Sequence, residues 1–452
     1  MNDSIRSLTY SDLQPGDSAC MKRRLTLQEL RHYAGDDDQG DGSLFRRLMT
    51  GGMWATALVT VAVATRLPGL GSRVLQQDVR YIGSIRLGES VEITLTVREK
   101  QDARRVLLDC LCRAQDGSSV LEGSVLVEAP ATAQPLDSAE IGSLDDGISR
   151  RQLQRLLGLA RDLPALTMAV VHPVDAESLG GAMEAARRGL IEPLLVGPSR
   201  RIRQAAEQAG IELEDARLID TEHSHAAAEQ AVALVRDGKA GGLMKGALHT
   251  DEFMGAIVGR QSGLRTERRM SHAWVMDVPT YPRPLIITDS ALNIRPDLSA
   301  KADIARNAID LLHAMGVETP RLAVLSATEE INPQIQSTLD AAALCKMADR
   351  GQIRGGELDG PLAFDNAISE VAARTKGIQS PVAGRPDILL APDLESANML
   401  GKQLHYLADA EAAGIVCGAR VPVVLTSRAD DRFSRVASCA IALLMARENS
   451  NA

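Results

Sequence analysis

The chain has 452 residues, a formal net charge of −9, 45% hydrophobic and 24% charged residues, and 2% aromatic residues. That length exceeds one compact core and predicts roughly two or three domains, and the composition is that of an ordinary soluble globular protein. The acidic balance argues against broad contact with nucleic acid or an anionic membrane, while small anionic ligands remain compatible with local basic pockets. With so few aromatic rings, the cores rest on Ala, Val, Leu and Ile. The six cysteines, Cys20, Cys110, Cys112, Cys345, Cys417 and Cys439, form no Cys-x-x-Cys pair. This fits a reducing compartment and no zinc site. The first residues have no apolar export core, and the apolar run from Met53 to Thr65 is too short to span a bilayer, so a cytoplasmic location is expected.

In chain order, Leu44 to Arg66 holds an apolar helix that is nonpolar nearly all round and so should be wrapped by other elements. It ends at Pro68-Gly69-Leu70-Gly71. Val91, Ile93, Leu95 and Val97 alternate with polar residues, the pattern of an antiparallel strand with one buried face. Asp116-Gly117 predicts a hairpin turn between Val106–Arg113 and Val120–Val127. A helix wrapped by a curled antiparallel sheet is the hot-dog arrangement. The segments LQPGDS at 13–18, AGD at 34–36, GGMWATAL at 51–58 and RLPGLGS at 66–72 resemble the MaoC-like hydratase family over roughly residues 1–130. That family's site places an Asp and a His in a G-D-x-N-P-x-H segment. Laid on Gly35-Asp36-Asp37-Asp38-Gln39-Gly40-Asp41, the His position holds Asp41. A carboxylate cannot both donate and accept as a neutral imidazole does, so this resemblance implies a degenerate hydratase-like domain.

Residues 131–150, rich in Ala, Pro, Ser, Gly and Asp, read as a linker. From Leu166 strands and helices alternate, which predicts an α/β fold built on parallel sheets. LTMAVVHP, EPLLVG, AGGLMKG, PLIITD, RLAVLSA, DILLAP and VPVVLTS are the strand candidates. Polar groups recur where these strands end: Lys245, Gly246, His249 and Thr250; Asp289 and Asn293; Asn398 and Lys402; with Asn366 at a helix start. These ends are expected to converge on one rim. The most informative corner is the last one. Val421–Leu425 runs into Thr426, Ser427, Arg428, Asp430 and Asp431, and a helix follows with Val436, Ala440, Leu443 and Leu444 on one face. A hydroxyl, a guanidinium and a helix start together suit a phosphate.

KGALHT at 245–250, TDSALNIRPDL at 288–298, DGPLAFDNAIS at 359–369, PDLESANMLGKQLHY at 392–406 and VPVVLTSRAD at 421–430 resemble the phosphate acetyl/butyryltransferases, nearer the butyryl branch. The resemblance covers roughly residues 150–450, and the whole chain resembles fusions of a MaoC-like domain with such a transferase. It implies two α/β/α lobes, about 151–265 with 416–452 and about 266–415, with the site between them. It implies acyl-CoA and inorganic phosphate as substrates, coenzyme A as substrate or product, no cofactor or metal, and a homodimer or higher homo-oligomer. Arg428 would hold the phosphate in bidentate fashion, Ser427 would bond the thioester sulfur or carbonyl oxygen, and a nearby carboxylate would move the proton. In the acetyl branch that carboxylate falls where this chain has Ser434. Asp430 is therefore the candidate, with Asp431 open. Lys245, Gly246, His249, Thr250, Asp289, Asn293, Asn366, Asn398 and Lys402 are the candidate substrate-binding residues. Two other readings stay open: a protein that also hydrates enoyl-CoA, and a non-catalytic acyl-CoA-binding assembly subunit.

Overall fold

In the computed structural model the structure describes residues 5–25, 52–86, 88–133, 135–136, 150–213, 216–427 and 430–451. The chain divides into two compact units, Met1–Ile148 and Ser149–Ala452. The first unit is an antiparallel five-stranded sheet in the order β2-β4-β5-β6-β3, formed by β2 (Ser18–Arg24), β3 (Arg73–Tyr81), β4 (Ser90–Gln101), β5 (Arg105–Ala114) and β6 (Ser119–Glu128). Val91, Ile93, Leu95 and Val97 of β4 are all buried, so the period-two pattern places one face on the core. Gly117 makes the β5–β6 turn at φ 85°, and its N–H donates to the Ala114 carbonyl at 2.9 Å. α1 (Trp54–Thr65) packs Trp54, Leu58, Val59, Ala62 and Val63 onto that face. Among the described residues of this helix only Thr60 is exposed, and Val61 is partly buried against the same core. Residues 135–136, placed in the expected linker, pair as β7 (Pro135–Leu136) with β1 (Ile5–Arg6).

The second unit is built on one eleven-stranded sheet ordered β10-β9-β8-β11-β18-β17-β12-β13-β16-β14-β15. Its strands are β8 (Leu166–Val171), β9 (Ile191–Gly197), β10 (Arg217–Asp220), β11 (Gly242–Lys245), β12 (Ser271–Asp277), β13 (Leu285–Thr288), β14 (Arg321–Leu325), β15 (Glu357–Leu362), β16 (Ile388–Leu390), β17 (Glu411–Cys417) and β18 (Val423–Val424). The flanks of this sheet are parallel, but β18–β17, β17–β12 and β12–β13 are antiparallel. The expected parallel sheets are found as the two flanks of one continuous sheet whose centre is antiparallel. The physical reason is connection length: β12 reaches β13, and β17 reaches β18, through a short turn with no room for a crossover helix.

Three helices frame the site. α2 (Arg151–Ala160) opens the unit, α3 (Ala176–Arg187) follows β8, and α12 (Arg432–Asn451) closes the chain. Between α3 and α12 lie α4 (Ser199–Ala209), α5 (Ser224–Arg236), α6 (Thr250–Val258), α7 (Leu298–Ala314), α8 (Gln336–Asp349), α9 (Phe364–Ile368), α10 (Glu370–Thr375) and α11 (Leu394–Leu407). Val436, Ala437, Ala440, Ile441 and Leu444 of α12 are buried, and these helically spaced residues press α12 onto the sheet. Among the described residues no helix is long and apolar enough to cross a membrane.

Candidate active site

The β18–α12 corner takes its place from strand register. Met244 pairs with Val424, and Lys245 with Val171, so Val171, Lys245 and Leu425 lie in one row across three neighbouring parallel strands. The next row is His172, Gly246 and Thr426. Neighbouring strands are about 4.8 Å apart, which puts the ends of β8, β11 and β18 within reach of one small ligand. A Cβ on Gly246 would sit 2.4 Å from the Val171 carbonyl oxygen, so only glycine lets the two strand ends approach this closely. Lys245 is buried, with Nζ 3.5 Å from the Gly246 carbonyl. His249 is exposed just before α6, and Thr250 is the first residue of that helix.

Past β18 the chain is gripped by Arg435, a residue the sequence reading passed over. Its Nη1 donates to Thr426 Oγ1 at 2.8 Å and its Nη2 to the Ser427 carbonyl at 3.0 Å. Arg435 is 3% exposed and lies against α3, where a Cβ on Gly181 would come 2.7 Å from its Cδ. Gly180 makes the same room for Arg432, so the paired glycines of α3 let two arginines of α12 lie flat. Among the described residues the buried Arg435 Nε finds no hydrogen-bond partner. The available signal was an arginine on the apolar face of one helix and two glycines inside another.

Ser427 is exposed; its N–H donates to Asp430 Oδ2 at 2.7 Å, and the Asp430 N–H donates back to the Ser427 carbonyl at 3.3 Å. Arg428 lies outside the described residues. Asp430 is half-buried, and desolvation pushes its carboxyl above the usual carboxylate range, opposed by the Ser427 N–H and by the charges of Arg435 and His405. Asp431 is occupied differently. Its Oδ1 accepts the Ser434 N–H at 2.8 Å and its Oδ2 accepts from Arg150 Nη2 at 2.9 Å. A half-buried carboxyl with a raised pKa beside a serine is suited to moving a proton, whereas one locked in two charge-assisted bonds is not.

Asp289, Asn293 and Asn398 come together elsewhere. The buried Asp289 carboxylate accepts from the N–H groups of His272, Ala291, Leu292 and Asn293 and from Asn293 Nδ2, at 2.5 to 3.1 Å. Those five donors fill its lone pairs, so this carboxylate organises a turn. Asn398 Nδ2 donates to the Ser290 carbonyl at 3.1 Å, and Lys402, one turn along α11, is exposed. The three antiparallel pairings between β18 and β13 reverse direction, so the carboxyl ends of β13 and β16 point opposite to those of β11 and β18. The expected single rim is corrected accordingly. Asn366 is buried in α9 beside β15, six strands from β18, and donates to Glu329 Oε2 at 3.2 Å. It is not brought to the Ser427 corner.

His272 joins the two clusters. Its backbone N–H donates to Asp289, and its ring crosses β17 so that Nε2 donates to the Leu425 carbonyl at 3.1 Å. Burial holds this imidazole below its ordinary pKa, so the neutral ring carries its proton on Nε2. The crossing needs Gly414, where a Cβ would meet Leu425 O at 2.2 Å and His272 Nε2 at 3.2 Å.

Residues 225–443 match the family model described as phosphate acetyl/butaryl transferase. A phosphate acetyltransferase of Rhizobium meliloti is 58% identical over 293 residues, 65% of this chain and 92% of that protein. A phosphate butyryltransferase of Clostridium beijerinckii is 40% identical over 299 residues, 66% of this chain and 99% of that one. A solved branched-chain phosphotransacylase from Enterococcus faecalis V583 superposes with a TM-score of 0.55 at 27% identity, covering 62% of this chain and 99% of that structure. The chain belongs to the phosphate acetyl/butyryltransferase family. Of these two curated relatives, the Rhizobium acetyltransferase has the higher identity.

Proposed function

We infer that the Ser427 corner transfers an acyl group between coenzyme A and inorganic phosphate, with acetyl-CoA as the preferred thioester. The observation that carries the reading is the corner itself: a serine and a raised-pKa carboxyl held at one turn by Arg435, beside the ends of β8 and β11. A phosphate oxygen attacks the thioester carbonyl carbon and forms the C–O bond; the C–S bond then breaks from the tetrahedral oxyanion. Asp430 takes the proton of the attacking phosphate and returns it to the departing thiolate. Ser427 donates to the sulfur or the oxyanion, and Arg428 clamps the phosphate. Holding two anions together is the largest task, so fixed positive charge dominates the rate enhancement. Lys245 supplies a second cation on the same rim. Acetyl is favoured over butyryl because the acetyl-acting relative is the more similar one.

Residues 1–148 are assigned to a MaoC-like hot-dog unit, on the basis of one apolar helix laid across a five-stranded antiparallel sheet. Gly35 to Asp41 and His32 lie outside the described residues. The unit serves association or acyl-CoA docking, since Asp41 stands where a hydratase needs His. The protein is cytoplasmic, a reading supported by six cysteines that are all free thiols, and a homo-oligomer, as the resemblance of its first unit to a hot-dog domain implies. The test is chemical: acetyl-CoA and phosphate incubated with the full chain yield an acyl phosphate that hydroxylamine traps as acetohydroxamate. Absence of hydroxamate with every acyl-CoA from acetyl to hexanoyl would leave the binding-subunit reading.

A further inference from the structure

Arg150 stands immediately before α2, far in sequence from the Ser427 corner, yet it is tied to it. Its Nε and Nη2 donate to Glu411 Oε1 at 3.1 and 3.0 Å, and its Nη2 also reaches Asp431 Oδ2 at 2.9 Å. The guanidinium carbon lies 4.4 Å over the centre of the Phe433 ring. Glu411 begins β17 and pairs with Asp277, whose carboxylate accepts the N–H groups of Gln152 and Leu153 at 2.5 and 3.0 Å. The start of α2 is thus pinned to the sheet through Asp277, and Arg150 carries that anchorage to the corner. The Arg150 and Glu411 side chains are only 20% and 19% exposed, so the contact is shielded from solvent screening.

We propose that Arg150 is a positioning residue for acyl transfer: through Asp431 it fixes the far end of the Ser427–Asp430 turn, while Arg435 fixes the near end. Asp431 is then the receiving end of this link and takes no part in proton transfer. The inference rests on the reading of Asp430 as the acid–base group. A planar guanidinium can pair with two carboxylates and stack on a ring at once, which an ammonium cannot do. Asp431 divides its two oxygens between Arg150 and the first turn of α12. A shift of the turn by a fraction of an ångström changes the distance between the serine and the thioester, and misplacement on the scale of 1 Å costs about 10²-fold.

The informative variant in the full chain is Asp431→Asn, because Asn caps a helix as well as Asp and the Arg150–Glu411 pair is kept. Arg150→Lys and the double variant complete the set, with Asp430→Asn measured alongside. The expected result is a drop in kcat of about tenfold for each single variant, with both KM values within about twofold. The double variant should be no slower than the slower single one, and the pH limb assigned to Asp430 should stay in place. Unchanged kcat with a lowered Tm would reduce the link to a structural role and overturn the proposal. So would additive losses, or loss of a pH limb in Asp431→Asn, which would make Asp431 the proton carrier. Failure of the Asp430 reading shows separately, as wild-type turnover in Asp430→Asn.

Discussion

Gly414 carries no chemistry, yet the corner depends on its missing side chain. A methyl there would overlap the Leu425 carbonyl and crowd His272 Nε2. Gly414→Ala should cost on the order of 1 to 3 kcal/mol in urea unfolding and lower kcat as well, since Leu425 is two residues before Ser427. An unchanged unfolding midpoint would contradict the close crossing. Arg428→Ala should cost on the order of 3 kcal/mol of transition-state stabilisation, about a hundredfold in kcat/KM, as for loss of a charge-assisted contact in a dry site. Near-normal turnover would rule out the phosphate clamp. The sequence offers Ser427 and Asp430 as candidates because a strand end, a hydroxyl and acidic residues fall within ten positions, and the structure places the two in one turn. Arg435, His272 and Arg150 were not legible in the sequence. Each acts through a partner distant in sequence or on a helix face that reads as apolar, and periodicity records burial without recording which buried residue makes contact.

At the scale of elements, the junction of β12 with α2 titrates. Burial pushes the Asp277 carboxyl from its ordinary 3.8 up to about 6, despite the two N–H groups it accepts. Burial pushes Glu411 up as well, against the pull of Arg150. A raised carboxyl pKa means the folded state holds more protons than the unfolded chain between the two values. Stability therefore falls as pH rises from about 4 to about 6, by on the order of 2 to 3 kcal/mol from Asp277. Asp277→Asn should flatten part of that slope, and denaturant midpoints measured across this window check it; an unaltered slope would refute the assignment. The parallel strands with their helices could be read from the sequence, since each has an apolar run, a turn and a helical period. β12 and β17 could not. SHAWVMD and EAAGIVC are buried on both faces, and an unbroken apolar strand carries no signal of its direction.

At the scale of the whole molecule, the relatives named above cover about two thirds of this chain, and residues 1–148 form a compact unit of their own. Residues 149–452 expressed alone should keep acyl transfer within roughly threefold of the full chain, as expected of a domain with its own core. A loss of 10² or more would show that the first unit contributes to the site. Crotonyl-CoA given to the full chain should keep its enoyl absorbance, for want of the imidazole that is worth about 10² to 10⁴ in rate. The central claim is acyl transfer to phosphate, and its most direct test is thiol release from acetyl-CoA with phosphate present and absent. The account predicts release that requires phosphate, is supported by arsenate in its place, and is slower with butyryl-CoA. Release at the same rate without either anion would contradict it.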